Sequence, residues 1–192
     1  MSNTPSSTGT AESQLVTRAQ AGKYLTFRLN SEEYGLEILK VREIIGLIDI
    51  TQVPRTPHYI RGVINLRGKV IPILDLRMKF DMEATDDTEE TCIIVVDAST
   101  QKGTISMGVL VDAVSEVLDI QQNEIENPPA FGSGVDVDYI LGIGKIKDTV
   151  KILLDIDRVL DTCDISAFGD VEGDQDVEIG EEAINEQMSE NE

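Results

Sequence analysis

Hydrophobic and polar positions alternate with a period of two over much of residues 24–160, the mark of half-buried strands. Tyr24, Thr26 and Arg28 fall on one side of the first such segment, and Leu25, Phe27 and Leu29 on the other. Asn30–Glu33 is a polar turn, and Tyr34–Ile38 returns as a second strand. Leu39–Ile44 fits a short helical turn. Ile45, Leu47, Asp49, Thr51 and Val53 then alternate against Ile48 and Ile50, until Pro54 and Pro57 end that strand. Tyr59–Phe80 reads as a hairpin: Val63, Ile64 and Leu66 approach a turn at Arg67–Gly68, and Val70, Ile71, Ile73 and Leu74 leave it. Gly68 takes the φ > 0 that a tight turn demands. Pro72 has no N–H for a ladder and belongs at an edge or a bulge. Leu76–Phe80 fits a helical turn. Cys92–Val96 is apolar without a break, which predicts a strand buried on both faces. A long strand contains Val109–Val111, a second hairpin runs from Tyr139 to Asp155 with its turn at Lys147–Asp148, and Ile156–Leu160 closes as a short helix.

The two hairpins are copies. Tyr59–Phe80 aligns without gaps on the stretch from Tyr139 at a spacing of 80 residues. Tyr59/Tyr139, Ile60/Ile140, Gly62/Gly142, Val70/Val150, Leu74/Leu154 and Asp75/Asp155 are identities. Upstream, Gly35, Val41, Glu43 and Ile44 match Gly108, Val114, Glu116 and Val117 at a spacing of 73 residues. Self-similarity at a fixed spacing means a repeated structural unit. The units are about 24–80 and 91–160, each the size of a small β-barrel. The acidic stretch Asp81–Glu90 lies between them.

At 192 residues the chain is one domain or two small ones that support each other. A unit of roughly 60 residues alone buries too little surface to be stable. Residues 1–22 are rich in Ser, Thr, Gln and Ala and are expected to be disordered. The core is expected over 23–163. Residues 164–192 carry 11 of the 36 acids and no Lys or Arg, which predicts a disordered acidic tail. The other 25 acids face 16 bases, so the net charge of −20 is −9 outside the tail. Such acidity, with aromatics at 4% and no Trp, argues against nucleic acid as a partner. No secretory signal or membrane-length apolar run is present, so a cytoplasmic location without membrane insertion is expected.

The residue inventory argues against an enzyme. His58 is the only histidine and has no nucleophile near it in sequence. Cys92 and Cys163 fit no metal or redox spacing, so no metal and no cofactor are expected. Gly132/Gly134 and Gly142/Gly144 lack the rest of a phosphate-binding fingerprint. A glycine kept in both copies, such as Gly62/Gly142, solves a shared backbone problem, a bulge or close packing. Asp75 and Asp155 fit caps for the helical turns that follow them. An enzyme built on that carboxylate pair is the reading the repeat symmetry disfavours.

Two features rise above this background. Residues 55–79 hold Arg55, Arg61, Arg67, Lys69, Arg77 and Lys79 against Asp75 alone, an excess of +5 in an acidic chain. It is either a solvated strand face or a patch that meets an acidic partner, and composition leaves both open. Arg67, at a turn, is its most exposed candidate. The second feature is the apolar set Cys92, Val109, Val111, Val114 and Val117, most of it core. Some of it could line a groove between the units and accept an amphipathic helix.

The segments YGLEILKVREI, TPHYIRGVINLRGKVIPILDLR, GVLVDAVSEVL and YILGIGKIKDTVKILLDID resemble the CheW chemotaxis coupling family over about Tyr24–Leu160. The NLRG turn with YIRG before it and PILDL after it is specific to CheW-like domains. Neither an ATP-binding domain nor a phospho-receiver domain accompanies it, which separates the chain from CheA and CheV. The resemblance implies an all-β fold with a few short helices, built as two intertwined SH3-like five-stranded β-barrels. It implies a non-enzymatic adaptor, monomeric in isolation, that joins the cytoplasmic tip of methyl-accepting chemotaxis receptors to the regulatory domain of the histidine kinase CheA in receptor arrays. A CheW-like adaptor of another receptor–kinase pathway is the alternative. The family's kinase contact falls here on Val41, Glu43, Ile60 and Gly62. Its receptor contact falls on Arg67, Cys92, Val114 and Val117; Cys92 departs from the commoner aliphatic residue, and the acidic tail is not part of the family core.

Overall fold

Leu25, Phe27 and Leu29 share one face of the first strand and are buried, as their spacing requires. That strand, β1 (Gly22–Leu29), is the first in a computed structural model that describes residues 18–83, 85–100, 103–129 and 138–161. Residues 1–17, the Gly132/Gly134 pair, Cys163 and the tail 164–192 lie outside the described residues. Residues 18–21, expected to belong to the disordered N-terminal segment, are docked. The Arg18 and Ala19 amides both donate to the Leu141 carbonyl, and Ala19 is buried.

β1 pairs antiparallel with β2 (Glu32–Glu37). A 3-10 turn at Ile38–Lys40 leads directly into β3 (Val41–Gly46), so most of the helical turn expected over Leu39–Ile44 is strand. The strand expected to continue to Val53 stops at Gly46, and one bridge from Thr51 to Val63 is what remains of it. β4 (Ile60–Leu66) and β5 (Lys69–Asp75) form the first hairpin, followed by α1 (Leu76–Lys79). The second unit repeats the plan as β6 (Cys92–Thr100), β7 (Gly103–Val111), β8 (Ala113–Ile120), the two-residue β9 (Ile125–Glu126), β10 (Ile140–Ile146), β11 (Thr149–Leu154) and α2 (Ile156–Asp161).

Both hairpins turn in two residues with φ positive at each. Arg67 and Gly68 have φ of 53° and 87°, and Lys147 and Asp148 have 47° and 67°. Positive φ at both central positions is the turn whose twist matches that of the flanking strands. Pro72 sits where β5 is paired on one side only, because the register with β7 begins at Ile73. The repeated glycine marks a register shift in both hairpins, at Ile60/Gly62 and at Ile140/Gly142.

The strands form two mixed sheets, ordered β8-β1-β2-β11-β10-β9 and β3-β6-β7-β5-β4. In each, the second and third strands come from one unit and the strands flanking them on both sides come from the other. Each sheet has two seams between units: an antiparallel one, β1 against β8 and β3 against β6, and a parallel one, β2 against β11 (Gly35↔Leu153) and β5 against β7 (Ile73↔Gly108). The interlacing implied by the family resemblance is therefore present, but the closed five-stranded barrels are not. One sheet has six strands, one has five, and neither is closed. Closure would need a continuous ladder from the segments that follow β3 and β8. Pro54 and Pro57 in the first segment, and Pro128 and Pro129 in the second, lack ladder donors. Pairing there shrinks to the Thr51 bridge and to β9.

Three apolar clusters hold this together. The largest lies between the sheets and draws on both units: Phe27, Leu36, Leu74, Ile94, Val109, Leu154 and Leu160 are among its members. The outer face of each sheet covers a smaller cluster, one around Tyr24, Leu141 and Leu153, the other around Ile71, Ile93 and Val95. β6 serves two of them. Cys92, Ile94 and Val96 enter the central cluster while Ile93 and Val95 enter the other, so the unbroken apolar run is buried on both faces. Phe27, Tyr34, Phe80 and Tyr139 stack in a column through the centre, with ring centroids 5.0–6.2 Å apart. Among the described residues no helix is long and apolar enough to cross a membrane.

Candidate functional site

The cluster of basic residues over 55–79 divides once it is folded. Arg77 is buried, with 2% of its side chain exposed, and faces Asp75 at 3.5 Å, Asp87 at 3.3 Å and Asp112 at 3.3 Å. Burial opposes its charge, but Asp75 and Asp112 outweigh that and raise its pKa. Arg61 reaches Asp75 at 3.1 Å and Asp87 at 2.7 Å. The Lys79 ammonium sits 4.5 Å from the Tyr59 ring centroid. Arg61 and Arg77 thus anchor the acidic connection between the units at Asp87 and are taken up within the fold. Asp75 also caps α1, accepting from the Arg77 and Met78 amides, and Asp155 accepts from the Arg158 amide at the start of α2. The repeated carboxylates are caps, as their position predicts.

What stays exposed is the hairpin tip. Arg67 keeps 77% of its side chain in solvent yet donates with both terminal nitrogens to Glu43, at 2.9 and 2.8 Å. The residue assigned to the receptor and one assigned to the kinase are thus joined. Around them Arg42, Leu66, Lys69, Ile71, Val95 and Ser106 complete a cleft of ≈ 140 Å³.

The remaining candidates separate into support and surface. Ile60 and Gly62 are buried. Gly62 has φ of 140°, and a Cβ there would lie 2.1 Å from the Thr51 carbonyl oxygen. Cys92 is buried too, paired with Gly46 of β3 and Val111 of β7, and burial raises its thiol pKa. Its side chain belongs to the central cluster between the sheets. Val41 and Val114 are half-buried. Val117 is open to solvent on β8, at 49%.

Sequence reasoning missed Ile44. It is 44% exposed on β3, at the position that matches Val117 in the repeat. β3 and β8 are edge strands of their respective sheets, so each unit presents an open edge carrying an exposed aliphatic side chain at the same place. The 73-residue correspondence pointed to this pair, but exposure could not be read from it. Leu47 and Ile48 extend the apolar surface beyond β3 and line a second cleft with Asp49, Ile50, Gln52, Arg61 and Asp87. His58 is exposed, 3.2 Å from the Met78 carbonyl oxygen. Among the described residues no group of His, Cys, Asp and Glu could hold a metal ion.

Comparison with known proteins agrees with this arrangement. The CheW-like domain family matches residues 23–164. The chemotaxis protein CheW of Klebsiella aerogenes is 36% identical over 159 residues, covering 83% of this chain and 93% of the relative. The CheW of Bacillus subtilis is 33% identical over 142 residues, covering 72% and 86%. The crystal structure of the scaffolding protein CheW from Thermoanaerobacter tengcongensis superposes with a TM-score of 0.65 at 35% identity, covering 73% of this chain and 93% of that one. The chain belongs to the CheW family of chemotaxis adaptor proteins.

Proposed function

We propose that this adaptor, which couples methyl-accepting chemotaxis receptors to the histidine kinase CheA, does so through two edges of its interlaced sheets. The observation that carries this reading is the equivalence of β3 and β8, two open edges bearing exposed Ile44 and Val117. An edge strand offers unpaired backbone groups together with side chains, a ready docking element for another protein.

The kinase contact lies on β3, with Val41 and Glu43 at its surface and Ile60 and Gly62 supporting it from the neighbouring hairpin. The receptor contact runs from the Arg67 tip past buried Cys92 to Val114 and Val117. The two contacts adjoin at the Arg67–Glu43 pair, while Ile44 and Val117 lie on the edges of different sheets.

The test is co-sedimentation with receptor-bearing membranes. Kinase should pellet with the membranes when this chain is added and remain in the supernatant without it. Kinase recovery independent of the chain would defeat the adaptor reading.

A further inference from the structure

The two hairpin tips are equivalent in backbone and opposite in what they offer an anion. At the first, Arg42, Arg67 and Lys69 line one cleft, against Glu43 within it and Asp97, which lies 3.5 Å from Arg42. Lys69 has no ion pair among the described residues. At the second tip Lys145 is bound to Glu126 at 2.7 Å, and Lys147 is followed by Asp148. The first tip keeps an excess cation and the second does not.

α2, which precedes the acidic C-terminal segment, is tied to Lys40 just before β3 and to Ser99 on β6, two strands that contribute residues to the first cleft. Asp157 of α2 accepts from Lys40 at 2.5 Å and from the Ser99 amide at 2.9 Å. Lys40 is two residues before Arg42, and Asp161, the last described residue, is one helical turn past Asp157. The 29 residues from 164 to 192 hold 11 acids and no Lys or Arg. Fully extended they would span roughly 90–100 Å, far more than the distance to the cleft. The rest of the chain carries a net −9 and repels this segment, and the excess cation at the first tip reverses that repulsion locally. A short tether also raises the local concentration of the segment to about the millimolar range, enough for a weak contact to be occupied.

We propose that residues 164–192 fold back onto the Arg42–Arg67–Lys69 cleft and occupy it until a partner displaces them. That this competes with a receptor rests on the reading of Arg67 given above; the docking itself does not.

A carbodiimide, which joins amines to carboxylates in direct contact, tests the docking on the full chain at low protein concentration. Mass spectrometry should find Lys69 joined to carboxylates of residues 164–192 within the monomer, with a yield several-fold above that at Lys147. At ~1 M salt, where the Debye length is about 3 Å, the Lys69 yield should fall to the Lys147 level. Equal yields at Lys69 and Lys147, or Lys69 products confined to cross-linked dimers, would overturn the proposal. Replacing the 11 tail acids with their amides should tighten binding of a receptor cytoplasmic tip several-fold. Unchanged affinity alongside a strong Lys69 product would overturn occupation of the receptor surface. Loss of receptor binding as the sole effect of Arg67→Glu would show the Arg67 reading to be sound even where the cross-link fails.

Discussion

Arg67 at the β4–β5 turn grips Glu43 on β3 through two parallel hydrogen bonds of 2.9 and 2.8 Å. The pair ties the tip of one hairpin to the edge strand beside it, and so fixes the wall of the cationic cleft. With Arg67 mostly in solvent, the pair should contribute no more than ~1 kcal/mol to stability.

Arg67→Glu should therefore leave urea unfolding nearly unchanged while abolishing receptor binding. The double exchange Glu43→Arg with Arg67→Glu restores the pair with its polarity reversed. It should not restore receptor binding, because the tip then presents a carboxylate. Recovery of binding in the double exchange would show that Arg67 acts by holding Glu43 alone.

Gly62 is a support and a poor probe of an interface. With φ at 140° and Thr51 backbone where a Cβ would be, Gly62→Ala should cost about 1–3 kcal/mol from backbone strain alone. Chemical denaturation would show this as a lower midpoint with an unchanged slope. Loss of kinase binding in any Gly62 variant then reports on the hairpin. A stable Gly62→Ala protein would mean that the Thr51 bridge yields easily.

Arg77 is the group whose loss should damage the fold most. Arg77→Met removes the cation shared by Asp75, Asp87 and Asp112 and leaves buried Asp75 with Arg61 alone to balance it. Removing one partner of a buried pair costs about 3–5 kcal/mol. The Asp87 and Thr85 contacts would be lost with it, freeing the connection between the units. Hydrogen exchange should then rise over residues 85–90 ahead of the sheets. Uniform exchange across the chain would show that the network holds no separate segment.

Stability should depend on pH through the β2–β11 seam. The hydrogen bond from Lys151 holds the Glu33 carboxyl below its ordinary 4.5. A lowered folded pKa stabilises the native state above that ordinary value, and the contribution fades as pH falls through the lower, folded value. Glu33→Gln should flatten the acid limb of the stability profile below about pH 4.5. Tyr34 acts at the other extreme: burial, with Glu32 and Tyr139 adding to it, pushes its hydroxyl up from 10.0 to about 12. Its contribution is present below the ordinary value and is lost as pH rises towards 12. An acid limb identical in Glu33→Gln and the parent would remove the seam pair from the account.

The hairpins, their turns and their caps were legible because they are local. Period-two alternation, Arg67–Gly68 and the Asp75/Asp155 positions each concern residues that meet near in sequence. The parallel seams were hidden because pairing Gly35 with Leu153 joins residues over a hundred apart. The repeated Gly35/Gly108 was the available trace: a Cβ on Gly108 would lie 2.4 Å from Ile73 Cδ1 across its seam. Two barrels were expected because each unit had the size of one, and the proline-broken connections prevent closure. The basic cluster misled for another reason. Charge does not reveal burial, so Arg77, whose work is internal, counted equally with Arg67. Ile60, Gly62 and Cys92, assigned from the family motifs, are buried, whereas Ile44 and Val117 are exposed, a difference the motifs do not carry.

The central claim is that two edges serve two partners, and calorimetry on single-edge variants tests it most directly. Titrated into the CheA regulatory domain at the host's salt, the chain should give a saturable one-to-one isotherm. Ile44→Glu on β3 should weaken it about tenfold or more, ~1.4 kcal/mol, while Val117→Glu on β8 leaves it within about twofold. With a receptor cytoplasmic tip the order should reverse. If both variants weaken both partners alike, or neither weakens either, the two-edge account is contradicted.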